Sequence, residues 1–358
     1  MMIHKISPSL YYAVKCLSVE KLNVIVYVKN SWCFKQIARF KVVREYPFIN
    51  AVGISCFPYE LEHLSRLPYV EYIQSNAQVF ALDEEMSNEK PVENFKIQTN
   101  LTGKGVTLCV LDTGIQPHLD ICAPFNRLKD FYDVDNPNER LPYDDNGHGT
   151  FVTGVAAGNG FASGSTLSGV ATKANIVGVK VIKANGESGA FSVLDGMQWV
   201  LDNRRKLNIR VACMSFGSNP FEQNDPLKRG AETLVRSGIT VVCASGNSGE
   251  NAVKSPATSM EVISVGAVNE KNEIADFTSR GYVNGRQKPE IYASGVDVIG
   301  LEAFGTYGKM SGTSVSTPYV AGAACLLVER FPSITPHRIK EILLKTAENI
   351  DGHFVLKL

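Results

Sequence analysis

Gly105-Val-Thr-Leu-Cys-Val-Leu-Asp-Thr-Gly-Ile115 opens the reading of this chain. From Gly105 to Leu111 no residue is charged and Val, Leu and Thr dominate, the pattern of a strand buried on both faces. A carboxylate, a hydroxyl and a glycine then follow at its carboxyl end. Runs of the same kind recur over 175–181, 209–214, 239–244 and 262–268. Between and after them lie stretches with helical spacing, over 149–157, 192–205, 227–237, 314–331 and 336–346. Continuous apolar strands separated by helices specify an α/β domain, a parallel sheet with helices on both faces. In such a sheet the functional groups gather at the carboxyl ends of the strands, which is where Asp112 falls.

Upstream the texture differs. Segments over 22–28, 32–40, 49–56, 59–67 and 70–73 alternate between short apolar runs and helix-like stretches. They read as a small α+β unit, an antiparallel sheet with two helices on one face. The acidic, polar stretch Asp83-Glu-Glu-Met-Ser-Asn-Glu-Lys-Pro-Val92 then breaks the pattern and suits an exposed linker. The expected organisation is an extension over 1–21, a small domain over 22–82, a linker over 83–100 and the large domain over 101–358.

Composition narrows the partners. The 358 residues carry 36 Lys plus Arg against 36 Asp plus Glu, so no net field draws the chain to nucleic acid or an anionic membrane. No apolar run is long enough to span a bilayer. Cys16, Cys33, Cys56, Cys109, Cys122, Cys213, Cys243 and Cys325 are scattered without metal-ligand spacing, and several sit in apolar runs. They read as buried thiols in a reducing compartment rather than as a disulfide framework or a metal site. The first thirty residues lack the basic start, apolar centre and small-residue cleavage site of a secretory signal. Together these lead to a cytoplasmic expectation, with export or spore association by a non-standard route as the alternative.

Four residues stand where an apolar element meets a glycine turn. Asp112 lies in Val110-Leu-Asp-Thr-Gly-Ile115. Asp-Thr-Gly is also the signature of aspartic proteases, but those need two such carboxylates sharing a proton, and this chain has one Asp-Thr-Gly in an α/β pattern. His148 lies in Asp144-Asp-Asn-Gly-His-Gly-Thr-Phe-Val-Thr-Gly154, a turn running into a small-residue helix. Asn247 lies in Ala244-Ser-Gly-Asn-Ser-Gly249, again at a strand end, and its amide is a neutral donor suited to an oxyanion. Ser314 lies in Met310-Ser-Gly-Thr-Ser-Val-Ser-Thr-Pro-Tyr-Val320, delivered to the first turn of a buried helix with Pro318 close enough to the start to be tolerated. Taken singly, these are a strand-end acid, a surface turn histidine, a turn asparagine and an N-cap serine. Taken together, in the order Asp, His, Asn, Ser, they form a constellation for nucleophilic catalysis.

Those motifs, with the Gly-Thr-Ser and its nearby proline, closely resemble the subtilase family of serine proteases, over nearly all of 22–350. The resemblance implies a subtilisin-like catalytic domain preceded by a ferredoxin-like propeptide. It implies a serine endopeptidase working through an acyl-enzyme, with Ser314 as nucleophile, His148 as general base, Asp112 as its orienter, and Asn247 with the Ser314 N–H as oxyanion donors. It also implies that Ser215-Phe216-Gly217 and Gly186-Glu187-Ser188-Gly189 clamp a peptide as an added strand, giving broad specificity with apolar P1 and P4 preference. The stretches Tyr69-Val-Glu-Tyr-Ile73 and Ala77-Gln-Val-Phe-Ala-Leu82 resemble the propeptide's end. They imply an intramolecular inhibitor whose tail lies in the cleft, with processing between Leu82 and Asp83.

The chain also departs from the family. Phe151 and Tyr319 stand where relatives often carry histidines outside the triad. Asn159-Gly-Phe-Ala-Ser-Gly-Ser-Thr-Leu167 does not match the tight calcium loop, so no cofactor is expected there, and calcium elsewhere stays open. The segment after Ile350 is short for a closing element. A catalytically silent subtilase fold that retains its prodomain for binding or regulation is the rival from another class. A nucleotide-binding reading would rest on Gly158-Asn-Gly160, which lacks GxGxxG spacing.

Overall fold

Alternation along one strand shows how the two halves of the chain meet. In β1 (Leu22–Val28) the even residues Val24, Val26 and Val28 enter one apolar cluster while Ile25 and Tyr27 enter another, and all five are buried. Antiparallel strands usually present one face to water; this one is covered on both. The computed structural model of the protein describes residues 3–15, 20–83, 100–220 and 224–357. Apart from Asp83 and Asn100, the linker expected over 83–100 lies outside the described residues, as does Cys16.

In the small domain, β1 is followed by a short 3₁₀ turn (Ser31–Cys33) and a second helix of the chain, Phe34–Ile37, which is shorter than the helical stretch expected over 32–40. Labelling helices from the N-terminus, α1 is Pro8–Lys15 and α2 is Phe34–Ile37. There follow β2 (Val42–Tyr46), β3 (Ala51–Cys56), α3 (Pro58–Arg66) and β4 (Val70–Ser75). The sheet order β2-β3-β1-β4 is the βαββαβ arrangement of the ferredoxin-like motif. The extension does not stand apart from this unit. Ile6 bridges Ile73 at the β4 edge, and Ile6 and Leu10 are buried in the cluster shared with α3.

β5 (Gln78–Ala81) leaves the small domain, and a nine-stranded sheet follows. Its parallel strands are β6 (Thr107–Asp112), β7 (Leu128–Asp133), β8 (Asn175–Lys180), β10 (Ile209–Met214), β12 (Thr240–Ala244), β13 (Ile263–Val268), β16 (Ile291–Ser294) and β20 (His353–Val355). β19 (Glu348–Ile350) is antiparallel to β20, so the short C-terminal segment closes the sheet edge as a hairpin. Smaller strands are β9 (Glu187–Gly189), β11 (Phe216–Gly217), the hairpin β14 (Gly281–Val283) and β15 (Arg286–Lys288), and the hairpin β17 (Val298–Leu301) and β18 (Tyr307–Met310). The order β19-β20-β16-β13-β12-β10-β6-β8-β7 reverses direction of growth between β6 and β10, the switch point at which α/β sheets open a crevice.

Helices α6 (Ala190–Asn203) and α7 (Pro226–Arg236) pack on one face in the same cluster as Ile25, Tyr27, Tyr46 and Tyr72 of the small domain. The short α4 (Leu119–Cys122) precedes β7. Helices α5 (His148–Ala157), α8 (Thr313–Arg330) and α9 (Pro336–Thr346) cover the other face. No helix among the described residues is long and apolar enough to cross a membrane.

α8 is apolar nearly all round and runs through the core, as such a pattern requires. Pro318 lies well inside it, beyond the tolerated first turn. A proline there cannot bond the carbonyl four residues back, which is that of Ser314, and the Ser215 hydroxyl donates to that oxygen instead at 2.8 Å. At Gly322 a Cβ would stand 2.5 Å from Val170 Cβ and 2.8 Å from the Ala156 carbonyl oxygen of α5. Ala is favoured over Gly in a helix by about 1 kcal/mol, whereas overpacking costs about 1–3 kcal/mol. Gly322→Ala should therefore destabilise the Ser314→Ala protein by up to about 2 kcal/mol in thermal unfolding; a gain in stability would show that the α5–α8 contact yields freely.

Candidate active site

Asp112 ends β6 and is buried; its Oδ1 accepts the Thr113 N–H at 2.7 Å and lies 2.6 Å from His148 Nδ1. In the neutral ring this contact fixes the proton on Nδ1 and leaves Nε2 with the lone pair. His148 is the first residue of α5, after Gly147 at φ 102°, where glycine is favoured. The helix start presses directly on the Asp112 turn. A Cβ at Gly149 would lie 2.2 Å from the Gly114 carbonyl oxygen and 3.1 Å from Asp112 Cβ.

One buried carboxylate joins these two pieces. Asp144 Oδ1 accepts from Thr113 Oγ1 at 2.9 Å, Gly147 N at 2.8 Å and Asn146 N at 3.2 Å; its Oδ2 accepts from the N–H and hydroxyl of Thr150 at 2.8 and 2.7 Å. Thr113 Oγ1 in turn accepts from Gly149 N at 2.8 Å. Burial alone would raise the Asp144 carboxyl, but the donors from Gly147, Thr150 and Thr113 outweigh it and hold the group below the usual carboxylate value. On the far side, the buried Lys180 ammonium bonds the Thr113 and Ile182 carbonyls and pairs with Asp145 at 2.6 Å.

Ser314 is the second residue of α8. Its Oγ is buried without a hydrogen-bond partner among the described residues, as is His148 Nε2. Asn247 follows β12 with its amide oriented from behind: Oδ1 accepts from Thr313 N at 3.0 Å and Thr313 Oγ1 at 2.8 Å, leaving Nδ2 to point outward. That Nδ2 donates to the Leu82 carbonyl oxygen at 2.9 Å. The Ser314 N–H is not among the donors to this oxygen. The oxygen lies 2.6 Å from where a Gly312 Cβ would stand, a point 3.0 Å from Ser314 Oγ.

Leu82 arrives there because β5 is inserted between β11 and β9, antiparallel to both. Ala81 and Phe80 pair with Phe216 and Gly217 on one side; Gln78, Val79 and Phe80 pair with Gly189, Ser188 and Glu187 on the other, and Ala81 N–H donates to Gly186 O at 3.0 Å. Val79 and Leu82 are buried while Phe80 points outward. Of the expected clamp residues, Ser215 alone does not pair with the tail; its hydroxyl serves the Ser314 carbonyl freed by Pro318.

His148 feels three carboxylates. Its complete burial disfavours the imidazolium, but Asp112 outweighs that, Asp83 and Asp144 add to it, and the ring is pushed up to about 9. Sequence reasoning missed Asp144, Thr113 and Thr313 as supporting groups; the only signal was their place within the motifs. Phe151 is a core residue, its ring filling the space over Gly300. Beside the loop over 159–167, the Asp120 carboxylate accepts from Ala162 N and from the Tyr307 hydroxyl, each at 2.8 Å. Among the described residues no group of three His, Cys, Asp or Glu side chains could hold a metal.

A buried imidazole–carboxylate pair, a serine at a helix start and an amide on a peptide carbonyl, set at the switch point of a parallel sheet, define a serine hydrolase of the α/β kind. The model of the subtilase family matches residues 103–356, and the chain belongs to that family. It is 35% identical over 340 residues to serine protease AprX of Bacillus subtilis (strain 168), covering 85% of this chain and 76% of that one. It is 31% identical over 316 residues to an alkaline protease of Shouchella clausii, covering 87% and 77%. Among solved structures it is similar to a cold adapted subtilisin-like serine proteinase (28% identity, TM-score 0.63, 75% of this chain and 96% of that one). Its fold also matches fervidolysin from Fervidobacterium pennivorans, a keratinolytic enzyme related to subtilisin (21% identity, TM-score 0.78, 94% and 60%). The chain is a subtilisin-like serine endopeptidase acting on peptide and protein substrates.

Asp144→Asn replaces an acceptor of five hydrogen bonds by an amide that must present two donors to them. Measured by urea melts in the Ser314→Ala background at pH 7, the cost should be about 2–4 kcal/mol. Because the folded carboxyl is depressed, its contribution is present above the unfolded value, about 4, and is lost as pH falls through the folded value. The gap between the two proteins should therefore narrow below pH 4; a gap that is constant from pH 7 to 3 would contradict the depressed carboxyl.

Proposed function

We propose that this chain is a self-processing zymogen in which Asp112, His148 and Ser314 form the triad, Asn247 is an oxyanion donor, and Leu82 is the P1 residue of the chain's own cleavage site. The observation that carries the reading is the Leu82 carbonyl oxygen on Asn247 Nδ2 at 2.9 Å, at the end of a tail paired on both edges. Ser314 Oγ attacks the Leu82 carbonyl carbon once it has rotated toward His148 Nε2, which takes its proton. Asp112 holds the ring and stabilises the imidazolium, and Asn247 Nδ2 follows the oxygen as it gains charge. His148 then returns the proton to the Asp83 nitrogen, the Leu82–Asp83 bond breaks, and water repeats the sequence on the acyl-enzyme.

Between the two domains, Arg44 pairs with Asp195 of α6 at 2.8 Å, the Tyr46 hydroxyl donates to the Phe191 carbonyl, and Arg229 of α7 lies 4.5 Å from the Tyr27 ring. These contacts support residues 22–82 as an inhibitory domain, with 101–358 as the catalytic one. Before the cut, the covalent connection keeps the tail at high local concentration; after it, the tail stays as a product held by its strand pairing and these domain contacts until the small domain leaves or is digested. Buried Val79 and Leu82 support apolar P4 and P1 preference, and exposed Phe80 supports tolerance at P3. The reading of a reducing compartment rests on the cysteines, seven of which stand unpaired among the described residues.

In hydrolysis of a Leu-P1 peptide, Ser314→Ala or His148→Ala should lower kcat by about 10⁶-fold, and Asn247→Leu by about 10²–10³-fold. Turnover near wild type in any of them removes that residue from its role. The base works only when neutral, so a ring raised to about 9 makes self-cleavage faster as pH rises. The first-order rate of precursor cleavage should climb from pH 6 through 8, reach half its maximum near pH 9 and level only above that, and Asp83→Asn should move the midpoint to lower pH. A wild-type plateau reached by pH 7 would contradict this.

A further inference from the structure

A lysine stem lies against the same glycine that the Leu82 side chain meets. Gly217, in the β11 strand beside the tail, touches two groups at once: a Cβ there would lie 3.0 Å from Leu82 Cδ1, 2.7 Å from Lys254 Cβ and 3.2 Å from Lys254 Cγ. On the other side of the stem, a Cβ on Gly246 would lie 2.5 Å from the same Lys254 Cγ. The lysine stem is thus wedged between the backbones of 217 and 246, and the first of these also meets the Leu82 side chain. The Lys254 N–H donates to the Ser245 carbonyl at 2.8 Å, fixing where the stem begins, next to Gly246 and Asn247. Its ammonium runs to the rim and donates to Asn219 Oδ1 at 2.8 Å. That partner is neutral, and Lys254 makes no ion pair among the described residues. Lysine commonly lays its methylenes along apolar surface and keeps its charge at the edge.

We propose that Lys254 determines P1 specificity, so that the S1 pocket takes an acidic P1 side chain as well as an apolar one and rejects a basic one. This rests on the reading of Leu82 as P1. A leucine at P1 packs on the Gly217 backbone, beside the methylene stem. A glutamate follows the same path one bond further, and its carboxylate meets the ammonium, which exchanges Asn219 for a charged acceptor. A P1 lysine or arginine brings a like charge to the rim of a pocket that buries its stem, and like charges set together discriminate strongly. An enzyme so equipped cleaves after Leu, Met and Glu, and proteins rich in acidic residues become substrates that a purely apolar pocket would leave uncut.

The test compares kcat/KM for peptides identical except for Leu, Glu or Lys at P1, with wild type, Lys254→Met and Lys254→Arg. Wild type should cleave the Glu peptide within about tenfold of the Leu peptide and the Lys peptide at least about a hundredfold more slowly. Lys254→Met, which keeps the stem, should lower the Glu-to-Leu ratio by about tenfold or more, while Lys254→Arg should retain it. In wild type the same ratio should fall between 0.05 and 1 M NaCl, because the pair sits at a solvated rim. Ratios are taken within one preparation, so loss of folded protein does not move them, and the wild-type salt series decides even if neither variant folds. A Glu-to-Leu ratio unchanged by Lys254→Met, or insensitive to salt in wild type, overturns the assignment of Lys254. Failure to cleave the Leu peptide at all would instead overturn the reading of Leu82 as P1.

Discussion

Strand Gln78–Ala81 is hydrogen-bonded along both edges, by Phe216–Gly217 on one side and Glu187–Gly189 on the other. Everything at the site depends on that double pairing. Main-chain bonds set the register of the tail, and register decides which carbonyl meets Asn247; a slip by one residue would reverse every side chain between pocket and solvent. Without a third strand, β9 and β11 are bare edges, which fold poorly as isolated elements and invite any extended chain. The same feature that seats the chain's own tail can seat another extended chain through its main chain alone. Backbone pairing supplies attachment for many sequences, and discrimination is left to the two side chains that point inward, at 79 and 82.

A second constraint is that four side chains from four distant segments must be held in orientation while Ser314 Oγ and His148 Nε2 are left without partners among the described residues. The sheet brings the segments together by ending β6, β10 and β12 at a common edge. The orienting is done by buried groups without direct chemistry. Asp144 ties the turn after Asp112 to the helix that starts at His148, Thr313 turns the Asn247 amide, and Ser215 takes the carbonyl that Pro318 leaves unbonded. The neutral bonds from Thr313 and Ser215 are each worth about 1 kcal/mol in folding, and those to the Asp144 carboxylate more. Their larger effect is on orientation, since a reacting pair misplaced by a fraction of an ångström loses much of its rate.

How much of this the sequence disclosed follows from what each signal reports. The parallel strands were legible because strands buried on both faces carry uninterrupted apolar runs, and β10 falls where those runs put it, at 209–214. β2 was not, because it is an edge strand with exposed Arg44 and Glu45 and a register shift after Val42, which together erase the alternation. α1 lacks strong periodicity, and its docking through Ile6 and Leu10 is a tertiary event. At the site, Asp112, His148, Asn247 and Ser314 stood out because each joins a reactive type to a glycine turn. Asp144 and Thr313 lie inside the same motifs, but nothing in a linear spacing says which of two adjacent aspartates turns inward. Lys254 had no signal at all, since only the fold brings it beside Gly217 and Leu82.

The central claim is that the bond after Leu82 is cut by the chain's own Ser314. Intact-mass analysis of freshly folded protein, with N-terminal sequencing of any fragment, tests it directly. The account predicts that wild type resolves into two pieces, the larger beginning at Asp83, while Ser314→Ala keeps its full mass under the same conditions. Cleavage of Ser314→Ala at that bond at the wild-type rate, or a wild-type fragment that begins elsewhere, would contradict it.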